Sequence, residues 1–306
     1  MACMKNSPER TARLHRHHAV WVWLAVTVLT SSAAILTRYC RIPATSVGFW
    51  RVAGAALVLM PWWLVVWRRE RRPAVFTFGS VLAGSVLGLH FATWAWALQN
   101  TTIANAMLFI GLQPLLAPFV ARPLLGERLN RWEVLACMLA CLGMVWILGR
   151  QLSCDAGQLA GSMMALASAF LCACYFVLVR KYRQNQHALL FSFPAYMTAM
   201  AVQAVAGLAM DKGIFVGDAS TRLALLGLVL LPTVGGHTLA IYLLRHVKSQ
   251  MVTLSVPAQF ILATGAAVFL FGETPSPWFI AGAVLVMAGV VLGVLRSGQV
   301  PGGSAQ

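Results

Sequence analysis

Residues 124–150 read LLGERLNRWEVLACMLACLGMVWILGR, and residues 270–296 read LFGETPSPWFIAGAVLVMAGVVLGVLR. Shifted by 146, the two stretches agree at 124, 126, 127, 132, 139, 143, 145 and 150, eight identities in 27 positions without a gap. Apolar composition alone yields a few Leu and Val matches. It does not readily align Gly126-Glu127 with Gly272-Glu273, Trp132 with Trp278, and Gly143 with Gly289. Upstream, with one residue of slippage, GLHFATWAWAL (88–98) faces GGHTLAIYLLR (235–245), which pairs His90 with His237. The chain is therefore read as an internal duplication.

The rest of the sequence says what is duplicated. Of 306 residues, 59% are hydrophobic and 10% charged, whereas soluble domains are about a quarter charged. Too few charges are present to cover a water-exposed surface, which argues against a soluble enzyme, a nucleic-acid binder and a disordered chain. A helix needs about 20 apolar residues to cross the hydrocarbon core. Residues 74–121 hold no Asp, Glu, Lys or Arg over 48 positions, enough for two crossings with a turn at Gln99–Thr102. Comparable runs place ten helices near 19–37, 44–67, 76–98, 102–122, 132–149, 157–179, 188–210, 223–244, 249–271 and 277–296. The first run follows the basic HRHH and looks like a signal peptide. Removing it would leave nine spans and break the duplication, so it is taken as the first helix.

The expected organisation is a basic tail (1–18), a first five-helix repeat (19–150), a linker (151–156), a second repeat (157–296) and a short tail (297–306). Five crossings per repeat make the copies antiparallel, as in many secondary transporters. Ten crossings put both termini on one face. If that face is cytoplasmic, 17 of the 23 Lys and Arg lie inside, five lie outside, and Arg51 lies within a span. This bias follows the positive-inside rule, and it accounts for the net charge of +15 without nucleic acid. An inner or plasma membrane location follows from this reading.

Ten helices in two halves, a basic loop after the second helix, Ala97-Leu98 ending the third, Pro114 in the fourth, and Leu125-Gly126-Glu127 echoed by Gly272-Glu273 together resemble the EamA type of the drug/metabolite transporter superfamily. The resemblance covers about 19–296. It implies a carrier that exports or exchanges a small metabolite, such as an amino acid, by alternating access. It implies no enzyme activity, no cofactor and no bound metal. Coupling to a proton or counter-substrate, and a monomeric or homodimeric state, stay open. The rival readings are a non-transporting membrane sensor or assembly partner and, with no nucleophile, base or metal motif to support it, an intramembrane enzyme.

The substrate-site candidates are the polar residues that lipid would penalise. Arg51 is the one strong charge well inside a span, and it must meet water, a partner or a ligand. If it lines a cavity, an anionic or zwitterionic substrate is favoured. His90 and His237 occupy matching places and titrate near neutral pH. The competing reading is that each is bonded to a neighbouring helix carbonyl. Trp94 lies one turn beyond His90 and joins Tyr175, Tyr196 and Tyr242 as a candidate aromatic wall. Gln113 and Gln259 should face the interior. Pro114 and Pro257 free backbone carbonyls in corresponding helices, a pointer to a transport site. Pro114 precedes Glu127 by thirteen residues, but the second copy has Phe260 at that spacing and Pro257 three residues earlier, so the second bend is expected at another depth. Glu127 and Glu273 read either as helix stops paired with nearby basic groups or as gate latches. Pro194 and Pro232 read as hinges. The GxxxG pairs Gly84/Gly88 and Gly289/Gly293 are expected to pack within the chain.

Overall fold

The computed structural model describes residues 8–71, 74–149, 156–183, 186–271 and 277–296. Every regular element among them is helical. The spans are α1 (Pro8–Ser31 and Ala33–Tyr39), α2 (Ala44–Arg69), α3 (Phe78–Asn100), α4 (Ile103–Gly111 and Gln113–Leu125), α5 (Arg131–Leu148) and α6 (Ala156–Tyr182). After them come α7 (Ala188–Met210), α8 (Ala219–Leu228, Val229–His237 and Thr238–Leu243), α9 (Ser249–Thr253 and Ser255–Phe271) and α10 (Pro277–Arg296). Nine of these are individually long and apolar enough to cross a membrane. The remaining span, α9, is divided by Leu254 into pieces of 5 and 17 residues.

The sequence shift of 146 reappears in the helices. α4 begins at Ile103 and α9 at Ser249 (249 − 103 = 146), and they end at Leu125 and Phe271 (271 − 125 = 146). Packing obeys the same exchange of copies. α3 lies on α6 as α8 lies on α1, α7 lies on α3 as α2 lies on α8, and α4 lies on α6 as α9 lies on α1. α2 with α7, and α5 with α10, pair each helix with its own counterpart. This is the contact pattern of two five-helix repeats about a pseudo-twofold axis.

The α5–α10 pair explains why glycines match across the copies. A Cβ on Gly143 would lie 2.7 Å from both the Gly282 carbonyl oxygen and the Val286 nitrogen, and one on Gly289 would lie 2.6 Å from the Ala136 oxygen and the Ala140 nitrogen. Residues 282 and 286 are the shifted equivalents of 136 and 140, so each glycine seats its backbone on the other copy's equivalent surface. Small residues permit such close approach in lipid. Gly84 and Gly88 do the same against α7, where added Cβ atoms would meet the Ala195 oxygen at 2.4 Å and Val202 Cβ at 2.8 Å. Gly293 rests on Leu254. The GxxxG pairs thus pack within the chain.

Three spans are broken, each for a local reason. In α1, Thr27, Thr30, Ser31 and Ser32 return their hydroxyls to the carbonyls of Trp23, Val26, Val28 and Leu29. Such back-bonding bends helices, and the helix turns at Ser32. In α4 the turn is at Leu112, two residues before Pro114. In α9 it is at Leu254, three residues before Pro257. The first piece of α4 has 9 residues and that of α9 has 5, so the second break comes four residues earlier, about 6 Å at the helical rise. The two bends therefore differ in depth, as the proline spacing suggests. Pro194, read as a hinge, leaves α7 continuous over Ala188–Met210. Pro232 instead sits in a π-helical segment of α8.

Candidate functional site

The helix breaks converge on one internal cavity. It offers ≈ 90 Å³ to the centres of water-sized molecules, and it is walled by α1, α2, α3, α4, α6, α8 and α9. All six substrate-site candidates, Arg51, His90, Trp94, Gln113, His237 and Gln259, line it.

Arg51 is 4% exposed, and its guanidinium carbon stands 4.0 Å from the centroid of the Phe91 ring. Its Nε donates to the Thr233 hydroxyl at 2.7 Å. Among the described residues no carboxylate pairs with it; the ion pairs join Arg180 to Glu127 and Lys248 to Glu133. An unneutralised buried cation costs several kcal/mol unless a wet space or ligand compensates it. The cavity is where that compensation is available.

The two histidines differ. His90 Nδ1 lies 3.0 Å from the Ser168 carbonyl and 2.8 Å from its hydroxyl, which donates back to the His90 carbonyl at 3.2 Å. A carbonyl only accepts, so Nδ1 carries the proton and Nε2 is left as an acceptor. His90 is thus the carbonyl-bonded histidine of the structural reading, with one nitrogen to spare. His237 is 7% exposed, and its Nδ1 has no hydrogen-bond partner among the described residues. Its ring lies 5.2 Å from Phe91 and 6.5 Å from His90, centroid to centroid.

Gln113 is fully buried, and among the described residues neither of its amide atoms has a hydrogen bond of normal geometry. The neighbouring Cys172 thiol is only a weak partner. Gln259 donates to Ser255 Oγ at 3.0 Å. Pro114 is not among the lining residues: its carbonyl, near the α4 break, accepts from Gln250 Nε2 at 2.5 Å. Pro257 is buried in the first turn of the second piece of α9.

The aromatic wall is corrected. Tyr175 and Tyr196 are fully buried and do not line the cavity, and Tyr242 pairs with His18 at 3.3 Å. Trp94 and Phe176 form the wall instead. Phe176 and Cys172 escaped the sequence reading, although Ser168, one turn before Cys172 and two before Phe176 on the same face of α6, was a polar mark of that face. Thr30, Ser31 and Ser255 were missed as well. The hydroxyl cluster TVLTSS at 27–32, at the α1 bend, was a legible signal for the first two.

One end of the bundle is closed by polar bonds. Glu127 pairs with Arg180 Nε and accepts from Ser249 Oγ at 3.0 Å. Arg180 also donates to the Leu244 carbonyl at 3.0 Å. Glu133 caps α5 through the Asn130 N–H at 2.8 Å and holds Lys248 at 2.8 Å. Arg183 donates to the carbonyls of Ile241 and Tyr242 at 2.6 and 3.1 Å. Glu127 thus follows a left-handed Gly126 stop and ties α4 to α6 and α9. Glu273 lies outside the described residues.

Comparison with known proteins now places the chain. It matches the EamA-like transporter family twice, over residues 18–149 and 159–295. The chain belongs to this family. It is 27% identical over 183 residues to a Salmonella typhimurium protein named "Probable amino-acid metabolite efflux pump", covering 55% of this chain and 60% of that relative's length. An uncharacterized transporter of Archaeoglobus fulgidus is 24% identical over 269 residues, covering 87% of this chain and 92% of the relative. One solved structure superposes with a TM-score of 0.75 at 20% identity, covering 92% of this chain and 98% of that one, a likeness of fold. As an EamA-family member the chain is a multi-pass membrane protein of a transporter family.

Proposed function

We propose that this chain carries a small metabolite bearing a carboxylate, such as an amino acid, by alternating access between the two repeats. The observation that carries the reading is Arg51, which among the described residues is a buried cation with no carboxylate partner, opening on a cavity that also holds a glutamine amide with only a weak thiol neighbour and a histidine nitrogen without a partner. Arg51 meets the anionic group. Gln113 and His237 offer a donor–acceptor amide and an imidazole to the rest of the ligand. Trp94 and Phe176 cover its apolar part. Gln259 and the His90 Nε2 lone pair complete the polar lining. Pro114 and Pro257 set the bends that open the space between α4 and α9.

The basic face is the cytoplasmic one in this reading, with both termini on it, because most Lys and Arg cluster there. The Glu127–Arg180 and Glu133–Lys248 pairs close that face, which supports an outward-facing state. Glu127 then serves as an inner latch, with Glu273 as its counterpart at the other side. Export is favoured by the likeness to the Salmonella protein named as an efflux pump. The test is uptake and counterflow by purified protein in liposomes, with labelled amino acids, nucleobases and phosphorylated sugars. Flux of a carboxylate compound that is lost in Arg51→Ala supports the proposal. Absence of flux across the whole panel refutes it.

A further inference from the structure

The hydrogen-bond chain behind Arg51 has a cause in the sequence of α8. Pro232 has no N–H, so the Leu228 carbonyl four residues back loses its α-helical donor. α8 widens into a π segment over Val229–His237, and the Thr233 hydroxyl donates to that carbonyl at 2.6 Å. A hydroxyl has one proton. With that proton committed to Leu228, Thr233 Oγ1 can only accept, and it accepts from Arg51 Nε at 2.7 Å. The Thr233 carbonyl is held in turn by Tyr196 and Thr238, which both donate at 3.4 Å and lie 3.1 Å from each other. Phe91 supports the guanidinium plane from one side. The side-on edge of Arg51, which includes Nε, is therefore occupied. Its two terminal nitrogens have no protein partner among the described residues, and the guanidinium borders the cavity.

We propose that Thr233 is a positioning residue that fixes Arg51 so that only its terminal fork meets the substrate, and that this fixation sets the preference for a carboxylate over a neutral isostere. The inference rests on the carboxylate reading above. No second copy of the device exists: with the slippage that pairs His90 and His237, Pro232 and Thr233 face Ser85 and Val86 in an unbroken α3. Two planar forks matched end to end bind a carboxylate through two parallel hydrogen bonds. A guanidinium free to rotate still attracts charge but loses that geometry.

The experiment measures binding in detergent by thermal shift and equilibrium dialysis, using L-leucine against L-leucinamide and benzoate against benzamide. Wild type, Thr233→Val, Thr233→Ser and Arg51→Ala are compared. The expected result is that Thr233→Val weakens the carboxylate probes about tenfold while changing the amides less than about twofold, and that Thr233→Ser restores the wild-type ratio. Equal weakening of acids and amides, no change in either, or no rescue by Ser overturns the proposal. If Thr233→Val does not fold, Thr233→Ala is measured against the same criteria. Failure of the underlying reading looks different: wild type then shows no acid preference, or Arg51→Ala keeps it.

Discussion

α3 and α8 hold matching places in the two repeats and carry matching histidines, yet they are built differently. α3 is a regular helix whose His90 is tied to Ser168 on α6. α8 is loosened by Pro232, clasps Arg51 through Thr233, and leaves His237 Nδ1 without a partner among the described residues. The lesson is a division of labour. What the copies share sets the architecture; where they differ, the chemistry appears. Arg51 itself has no charged equivalent, since the shifted position holds Met197.

The comparison is broken most severely at Arg51. Arg51→Gln should remove the asymmetry at its source and lower carboxylate transport about 100-fold, the loss expected for hydrogen bonds to a charged group, measured as initial uptake rates in liposomes. Retained uptake would show that the cation serves only packing. The histidines test the comparison directly. His237→Ala should reduce substrate affinity about tenfold, with a loss of melting temperature from the cavity it leaves but a larger effect on affinity than His90→Ala. His90→Ala should mainly destabilise the protein, by about 1–3 kcal/mol for the lost buried bonds, read as a lower melting temperature in detergent. Equal effects of the two would erase the distinction drawn here.

The closed face sharpens the comparison at the ends of the repeats. Glu127→Gln removes the charge held by Arg180 and should raise the rate at which a thiol reagent, applied from the basic face, labels the cavity residue Cys172 in a variant lacking the other cysteines. Unchanged labelling would leave Glu127 a helix stop only. The smallest effect is expected at the helix starts. α8 is capped by Asp218, whose Oδ1 accepts the Thr221 N–H at 2.8 Å, whereas α3 is capped by the uncharged Thr77. Hydrogen bonding to Thr221 holds the Asp218 carboxyl below the ordinary carboxylate value. A carboxyl lowered in the folded state adds stability above its unfolded value and loses it as pH falls through the folded one. Asp218→Asn should therefore flatten a slight acid-side slope in melting temperature, while Thr77→Val should shift the curve evenly at all pH values.

Much of this architecture is readable in the sequence because bilayer physics is severe. A charge-free stretch such as 74–121 has few alternatives to spanning, and Arg51, His90, Gln113, His237 and Gln259 have nowhere inexpensive to go except an interior cavity. That penalty is why polar outliers alone lead to the lining. Features set by local backbone chemistry were harder to see. Pro232 was legible as an irregularity, but its π segment and the bond from Arg51 to Thr233 depend on which helix packs opposite. The tyrosines failed as a wall because an amphipathic ring is as easily buried behind a cavity as at its edge, and the row Ser168, Cys172 and Phe176, spaced by four along α6, runs beside Tyr175 rather than through it.

The glycine contacts of α5 and α10 carry a last consequence. Backbones approach closely at Gly143, Gly282 and Gly289, with Val286, Ile147 and Leu139 packed into the space that remains, so these two helices form one tightly joined pillar. In the alternating-access cycle proposed above, the halves would swing around that pillar, which would make it the fulcrum of the molecule.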